Sequence, residues 1–182
     1  MRAIDVRDLL ESPGSLRTVH MEEPVPGLRT ELADVPEDTP IAADLTLESV
    51  VEGIFVRGSL EGRFAMRCAR CLKTFERDFD VEMTELVPRE PGPDDDYALE
   101  PDLTLDPEPI VRDAVVLEMP FSPLCRPDCL GLCEICGGDR NLGECPGHEV
   151  TDPRWDALDM LLQHLEAHPD QEPSDDDRTT TS

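Results

Sequence analysis

Closely spaced cysteines constrain the fold of this 182-residue chain more than any other feature of its sequence. A pair of soft ligands on one tight turn supplies half of a tetrahedral zinc site, and two such pairs complete it. Seven thiols and one imidazole are enough for one or two structural zinc ions. In chain order, these candidate metal ligands are Cys68, Cys71, Cys125, Cys129, Cys133, Cys136, Cys145 and His148.

The spacings alone leave the grouping of these ligands open. The run from Cys125 to Cys136 can close a local site by itself. Alternatively, the first Cys-x2-Cys pair joins Cys133 and Cys136, which would tie a flexible segment to the core. In a third arrangement, Cys133 and Cys136 combine with Cys145 and His148. A redox role for either Cys-x2-Cys pair is disfavoured, because neither opens a helix inside a βαβ unit.

The charge of the chain is strongly negative but unevenly distributed. The formal net charge is -26 at pH 7, which favours basic partners over nucleic acid. Residues 57–77 run against this trend, since they hold six basic side chains and only two acidic ones. One interpretation is an ordinary solvated sheet face. The other is a positive patch that contacts RNA through Arg57, Arg63, Arg67, Arg70, Lys73 and Arg77.

Two other segments carry most of the acidic excess. Residues 89–109 combine many carboxylates with prolines and predict a mobile loop, whereas residues 167–182 predict a disordered acidic tail. No apolar run approaches the ~20 residues that a membrane-spanning helix requires. The first ten residues alternate charged and apolar side chains, unlike an export signal. We therefore expect a cytoplasmic protein with reduced thiols and no membrane role.

Alternating apolar side chains predict an antiparallel sheet in the first half of the chain. Apolar residues or glycine fill every second position over residues 54–66, and the alternation resumes over residues 75–83. These two strands predict a hairpin with the first cysteine pair at its turn, and residues 45–51 predict a third strand. Gly58 and Gly62 inside the central strand predict bulges or a strong bend, and hence a curled, barrel-like sheet.

Helix signals follow in the second half. Asp106-Pro107 predicts the start of a helix of about three turns, which Pro120 ends. Its apolar face comprises Ile110, Val111, Ala114, Val115 and Leu117. Asp152-Pro153 repeats the start signal. A narrow apolar stripe follows, which we expect to pack on the core, and it comprises Trp155, Leu158, Leu162 and Leu165.

Together these signals predict an α+β protein with one or two helices and a small Cys-rich zinc-knuckle module. The expected organisation is an irregular N-terminal segment with weak strands (1–40), a sheet-and-helix core (41–124), the Cys-rich module (125–150), a C-terminal helix (151–166) and the acidic tail. No catalytic group stands out, because His20, His164 and His168 lack metal-type neighbours and the carboxylates lie in solvated charge runs. We therefore expect no enzymatic activity.

Three segments in a fixed order carry a family resemblance. They are Cys68-Ala-Arg-Cys71-Leu with Phe75 after it, Val111-Arg-Asp-Ala-Val-Val-Leu-Glu-Met-Pro120, and Cys129-Leu-Gly-Leu-Cys133-Glu-Ile-Cys136-Gly. From about Leu45 to Trp155 the chain resembles the YceD-like family of bacteria and plastids, described as large ribosomal RNA subunit accumulation proteins. Relatives often end the module with a close cysteine pair, whereas here Cys145 is followed by Pro-Gly-His148.

The resemblance implies a non-enzymatic ribosome-biogenesis factor that acts in synthesis, processing or stability of large-subunit (23S) ribosomal RNA. Its expected partner is that RNA or a pre-ribosomal particle, contacted through the basic stretch. Because the chain is acidic, an adaptor that holds a basic large-subunit ribosomal protein is the alternative hypothesis. A Cys-x2-Cys redox protein is the third.

Overall fold

The computed structural model describes residues 1–148 and 155–167. They fall into two units, one within Met1–Glu144 and the other within Cys145–Ser182. The first unit is α+β. Its strands are β1 (Ile4–Asp5), β2 (Leu16–Glu23), β3 (Ala33–Asp34), β4 (Ile41–Ser49), β5 (Gly53–Arg67), β6 (Thr74–Pro88) and β7 (Thr104–Leu105). Its helices are α1 (Arg7–Leu10) and α2 (Glu108–Glu118). The second unit contains α3 (Asp156–Ala167).

A long hairpin of β5 and β6 is the centre of the fold. The two strands pair antiparallel in unbroken register from Gly53 opposite Pro88 to Arg67 opposite Thr74. The connecting turn contains Cys68 and Cys71, so the predicted hairpin with a cysteine pair at its turn is confirmed. Side chains alternate between the core and solvent along both strands, as the period-two pattern predicts.

The sheet is open, so the prediction of a curled, barrel-like sheet is wrong. Strand β4 pairs with β2 on one side and with β5 on the other. β5 pairs with β6 along its entire opposite edge, and β3 continues beyond β4 on the first edge. A barrel would require β2 and β6 to pair with each other. In the described residues they pair only with β4 and β5.

The two glycines of β5 allow close packing and do not form bulges, so their predicted role is wrong. A Cβ atom at Gly58 would lie 2.2 Å from the backbone oxygen of Asp44 on β4. A Cβ atom at Gly62 would lie 2.5 Å from the ring of Phe79, which sits directly opposite on β6. The glycines thus let a neighbouring backbone and an aromatic ring approach the strand without interrupting its hydrogen bonds.

The core lies on one face of this sheet and is completed by α1 and α2. Helix α2 begins after Pro107 and ends before Pro120, which confirms the predicted helix. Its buried side chains are Ile110, Val111 and Val115. Leu117, assigned to the same apolar face from the sequence, is 86% exposed. No helix among the described residues combines the length and apolarity needed to cross a membrane.

Residues 1–40 are more regular than the sequence suggests. Strand β2 pairs over eight residues with β4, although only one of its side chains, that of Met21, is fully buried. The apolar pattern is therefore weak there, and pairing with β4 organises the strand. The acidic segment 89–109 contains only β7 and the first two residues of α2 as regular structure. The predicted acidic tail from residue 168 onward lies outside the described residues.

The second unit is described for residues 145–148 and 155–167. Helix α3 confirms a helix in the predicted region, and its proposed start signal at residues 152–153 lies outside the described residues. Three side chains of the predicted stripe, those of Trp155, Leu158 and Leu162, are exposed. Packing of this stripe on the sheet stays a prediction.

Replacing Gly58 by Ala tests the close-packing role of this glycine. The new methyl group would clash with the β4 backbone, so we expect the free energy of unfolding to fall by about 1–3 kcal/mol. Urea denaturation followed by circular dichroism measures the change. Gly92→Ala in an exposed loop is the matched control, with an expected change below about 0.5 kcal/mol. Equal stability of the two variants would contradict the packing argument.

Candidate metal centre

The β5–β6 turn places two thiols beside each other. The amide of Cys68 donates a hydrogen bond to the carbonyl of Lys73 (2.9 Å), and the amide of Leu72 donates to the carbonyl of Cys68 (2.9 Å). Leu72 has a φ of +60°, a conformation that non-glycine residues rarely adopt. This tight turn holds Cys68 and Cys71 in a geometry suited to a shared metal ion.

A second segment, residues 123–132, runs against this turn. The amide of Ala69 donates to the carbonyl of Pro123 (2.8 Å), and the amide of Leu132 donates to the carbonyl of Arg70 (3.0 Å). Gly131 has a φ of +75°, and a Cβ atom there would meet the carbonyl oxygen of Arg70 at 3.0 Å. A glycine therefore suits this close approach, which brings Cys125 and Cys129 to the hairpin.

Four sulfur atoms from these two segments converge on one point. Cys68 Sγ lies 3.8 Å from Cys129 Sγ, and Cys71 Sγ lies 3.7 Å from Cys125 Sγ. All four ligand atoms lie within 4.8 Å of one another. Tetrahedral zinc with Zn–S bonds of ~2.3 Å requires sulfur atoms about 3.8 Å apart. The four thiols therefore fit a closed structural zinc site.

This group of four thiols is not one of the three arrangements that the spacings suggested. The turn cysteines, Cys68 and Cys71, lie with Cys125 and Cys129, and not with Cys133 and Cys136. Sequence spacing could not identify this set, because strand pairing and the path of residues 89–124 decide which segment meets the turn. The second arrangement also joined the hairpin turn to the Cys-rich segment, but through Cys133 and Cys136. The structure joins them through Cys125 and Cys129.

Electrostatics at the four thiols favour a bound cation. Burial acts to raise the pKa of Cys68, but hydrogen bonds from the backbone at Cys125, Cys71 and Arg70 together lower this pKa to about 6. Burial, followed by interaction with Cys71, raises the pKa of Cys125 to about 12. The backbone thus stabilises one thiolate while crowding keeps a neighbour protonated. A divalent cation would stabilise all four thiolates together.

The remaining four predicted ligands form two pairs. Cys133 and Cys136 lie in the first unit on a tight turn, in which the amide of Gly137 donates to the carbonyl of Cys133 (2.8 Å). Cys145 and His148 belong to the second unit. Their combination into one site, the third arrangement suggested by the spacings, stays a prediction.

Two residues that the sequence analysis missed support the first thiol group. The carboxylate of Asp139, only 7% exposed, accepts a hydrogen bond from Lys73 Nζ at 2.9 Å. This bond, and a second from Asn141, lower the pKa of Asp139 to about 2. Asn141 Nδ2 also lies 3.6 Å from Cys129 Sγ, and Asn141 Oδ1 accepts from the amide of Leu130 (2.8 Å). Such polar support commonly orients metal ligands.

The six basic residues predicted to contact RNA are mostly engaged within the chain. Arg70 donates to the carbonyl of Cys129 (2.9 Å), and Arg77 donates to the carbonyl of Leu124 (3.3 Å). With the Lys73–Asp139 ion pair, these contacts attach the Cys-rich segment to the hairpin.

The other three basic residues lie on β5. Arg63 pairs with Asp78 (2.7 Å), and Arg57 Nη2 lies 3.7 Å from Glu48 Oε2. Arg67 is exposed and has no side-chain partner among the described residues. Contact of the six with RNA stays a prediction.

Comparison with known proteins places this arrangement in a family context. A family model described as the large ribosomal RNA subunit accumulation protein YceD matches residues 56–162. An uncharacterized protein of Mycobacterium tuberculosis is 37% identical over 168 residues, covering 87% of this chain and 80% of the relative. An uncharacterized protein of Mycobacterium leprae is 31% identical over 167 residues, covering 87% and 76% respectively. No solved structure matches the chain.

The fold and the site thus define a class of protein. It is an α+β protein with an antiparallel hairpin and two Cys-rich groups that are consistent with zinc binding. Within this class the chain belongs to the YceD family, named for accumulation of large-subunit ribosomal RNA. The resemblance noted from the sequence is confirmed. The curated relatives add no function, since their names describe them as uncharacterized.

Zinc content tests the shared thiol site. Because Cys68 and Cys125 belong to one group, we expect Cys68→Ser and Cys125→Ser each to lower the zinc content by one ion per chain. The double variant should lose no more than either single variant. Native mass spectrometry of protein purified without chelator measures the ratio. The control double variant combines Cys68→Ser with Cys136→Ser, because Cys136 lies outside this group of four thiols. If Cys68→Ser and Cys125→Ser together remove two ions, the grouping is wrong.

A double-mutant cycle tests the Lys73–Asp139 attachment. The nearly buried carboxylate has a lowered pKa, so the pair stabilises the fold above about pH 4, and this contribution is lost as the pH falls towards about 2. At pH 7 we expect Lys73→Met and Asp139→Asn to show a larger coupling energy, by urea denaturation, than Arg63→Met and Asp78→Asn on the exposed sheet face. Equal coupling energies for the two ion pairs would contradict the role of Lys73 and Asp139 in attaching the Cys-rich segment.

Proposed function

We propose that this protein is a non-enzymatic factor for accumulation of large-subunit (23S) ribosomal RNA, with structural zinc. Family membership carries the proposal, because the matched residues 56–162 include the hairpin turn, α2 and the thiol group. Cys68, Cys71, Cys125 and Cys129 would hold one zinc ion, and Cys133, Cys136, Cys145 and His148 a second. The zinc would hold the Cys-rich segment against the hairpin and leave no coordination position open for substrate.

A non-enzymatic role is supported by the way the ionisable groups are engaged. Each described side chain with a shifted pKa lies in an ion pair, a tyrosine–carboxylate hydrogen bond or the thiol group. The thiol with the lowered pKa, Cys68, is fully buried. A redox protein requires a thiolate that its substrate can reach, so this alternative receives less support.

The partner that we propose is a basic protein of the pre-ribosomal particle. Five of the six basic residues at positions 57–77 have intramolecular partners, which weakens a positive RNA-binding face. The net charge of -26 repels phosphates and attracts cationic surfaces. The acidic-adaptor hypothesis therefore has more support than direct RNA contact. We further propose that the protein acts in the cytoplasm.

The ratio of 23S to 16S ribosomal RNA in a gene-deletion strain tests the function. We expect deletion to lower the ratio and the wild-type gene to restore it. Complementation with Cys68→Ser should fail, because the hairpin turn would lose its zinc. Capillary electrophoresis of total RNA gives the ratio. An unchanged ratio on deletion contradicts the proposed function.

A charge-reversal variant in the same strain distinguishes the two partner classes. Arg57 and Arg67 take no part in attaching the Cys-rich segment, so Arg57→Glu with Arg67→Glu leaves that attachment intact. We expect this variant to restore the ratio. Failure of a folded, zinc-loaded variant to restore it would favour direct RNA contact through the basic stretch.

A further inference from the structure

One edge of the central hairpin has no partner strand among residues 1–148 and 155–167. β6 is 15 residues long and pairs with β5 along one side, and no other described strand pairs with it. Natural proteins cover, shorten or charge such edges, because an open row of backbone donors and acceptors accepts another strand. The length of this edge makes it a template for strand addition.

A groove runs between this edge and α2. Residues 81–85 of β6 form one wall, and Ala114, Leu117 and Glu118 of α2 form the other, around a volume of about 350 Å³. Helix α2 packs on the core face of the sheet, so the groove lies where a further strand would be covered by the helix. Its position beside an open strand edge suits an extended segment.

Apolar side chains are exposed along this groove. Leu117 in the groove wall is 86% exposed, and Phe121, which follows the helix and is not part of the groove lining, is 95% exposed. Val81 on the edge strand is half-buried in the groove wall. Charged residues alone can protect an edge from pairing, but they do not account for large apolar side chains left in water beside it.

The charges around the groove are all negative. Glu82, Glu85 and Glu118 line it, and no basic side chain does. None of the three carboxylate groups has an ion pair or a hydrogen bond among the described residues. Tyr97, near Glu85, donates a hydrogen bond to Asp113 on α2 (2.8 Å). The edge therefore complements a cationic segment.

We propose that β6 binds an extended, lysine- or arginine-containing segment of a protein partner as an additional strand beside α2. Successive side chains of such a segment point to opposite faces of the sheet. On the helix side an apolar side chain would cover Leu117, and on the solvent side a basic side chain would face Glu82. The segment recognised is thus one in which apolar and basic residues alternate.

Charge excludes the other occupants. Two copies joined edge to edge would bring the carboxylates of both β6 strands together. Residues 168–182 of this chain hold five carboxylates and one arginine, so they too would be repelled. RNA would present phosphates to an acidic surface. This inference deepens the proposed function by naming where the basic partner binds, and it rests on that function for the class of partner.

A short synthetic peptide tests the proposal on the full-length, zinc-loaded protein. The probe is a fluorescein-labelled, seven-residue peptide in which Lys and Val alternate, with binding followed by fluorescence anisotropy at low and physiological salt. We expect Leu117→Ser to weaken binding about tenfold, since this side chain would be covered by the segment. A triple variant, Glu82→Gln, Glu85→Gln and Glu118→Gln, should also weaken it about tenfold and reduce its salt dependence.

Matched controls separate strand addition from general charge attraction. A variant with Val51→Ser, Glu31→Gln, Glu37→Gln and Glu52→Gln removes one exposed apolar side chain and three exposed carboxylates elsewhere, and it should bind normally. A peptide of the same composition with Lys and Val in separate blocks, and one N-methylated at alternate amides, should bind at least tenfold more weakly.

Equal binding of all three peptides, or equal loss in the groove and control variants, would overturn the proposal. So would a protein that dimerises through β6 with no affinity for the alternating peptide. These readouts do not depend on ribosomal RNA levels. If the peptide does not bind but deletion of the gene lowers the ratio of 23S to 16S ribosomal RNA, only the proposed binding surface on β6 is refuted. If deletion leaves that ratio unchanged, the proposed function is refuted.

Discussion

Contact between the hairpin turn and the Cys-rich segment organises the part of this protein that contains the four converging thiols. Cys71 and Cys125 are 54 residues apart in sequence, and their sulfur atoms lie 3.7 Å apart. Closing so long a loop costs conformational entropy, which few apolar contacts are available to offset at the tip of a hairpin. A metal ion bound by four thiolates would provide this free energy directly, because the site does not exist in the unfolded chain.

The polar contacts around the thiols serve the same attachment. Arg70 and Arg77 donate to backbone carbonyls of the Cys-rich segment, and Lys73 pairs with the nearly buried Asp139. Three of the six basic residues that the sequence groups into one stretch therefore help to hold the structure together. Their engagement leaves the acidic side chains dominant at the surface, and this surface charge is the basis for proposing a basic partner.

The β5–β6 hairpin and helix α2 were predictable because their signals are local. Alternation of apolar residues specifies the strands, and Pro107 and Pro120 bound the helix. Strand β2 was underestimated, since only Met21 among its side chains is fully buried. The glycine prediction was wrong for a related reason. A glycine inside a strand is compatible with a bulge or with a close neighbour, and only the positions of Asp44 and Phe79 decide between them.

The sequence by itself determined the hairpin, the turn that carries Cys68 and Cys71, the helix, and the presence of enough soft ligands for zinc. Only the tertiary structure decided that these two thiols meet Cys125 and Cys129, that the sheet stays open, and that Leu117 faces solvent beside the edge of β6 with which no other described strand pairs. The physical reason is the range of the interactions. Local patterns are set by backbone geometry and side-chain alternation over a few residues. Ligand grouping and edge exposure depend on which distant segments pack against one another, which spacing along the chain does not encode.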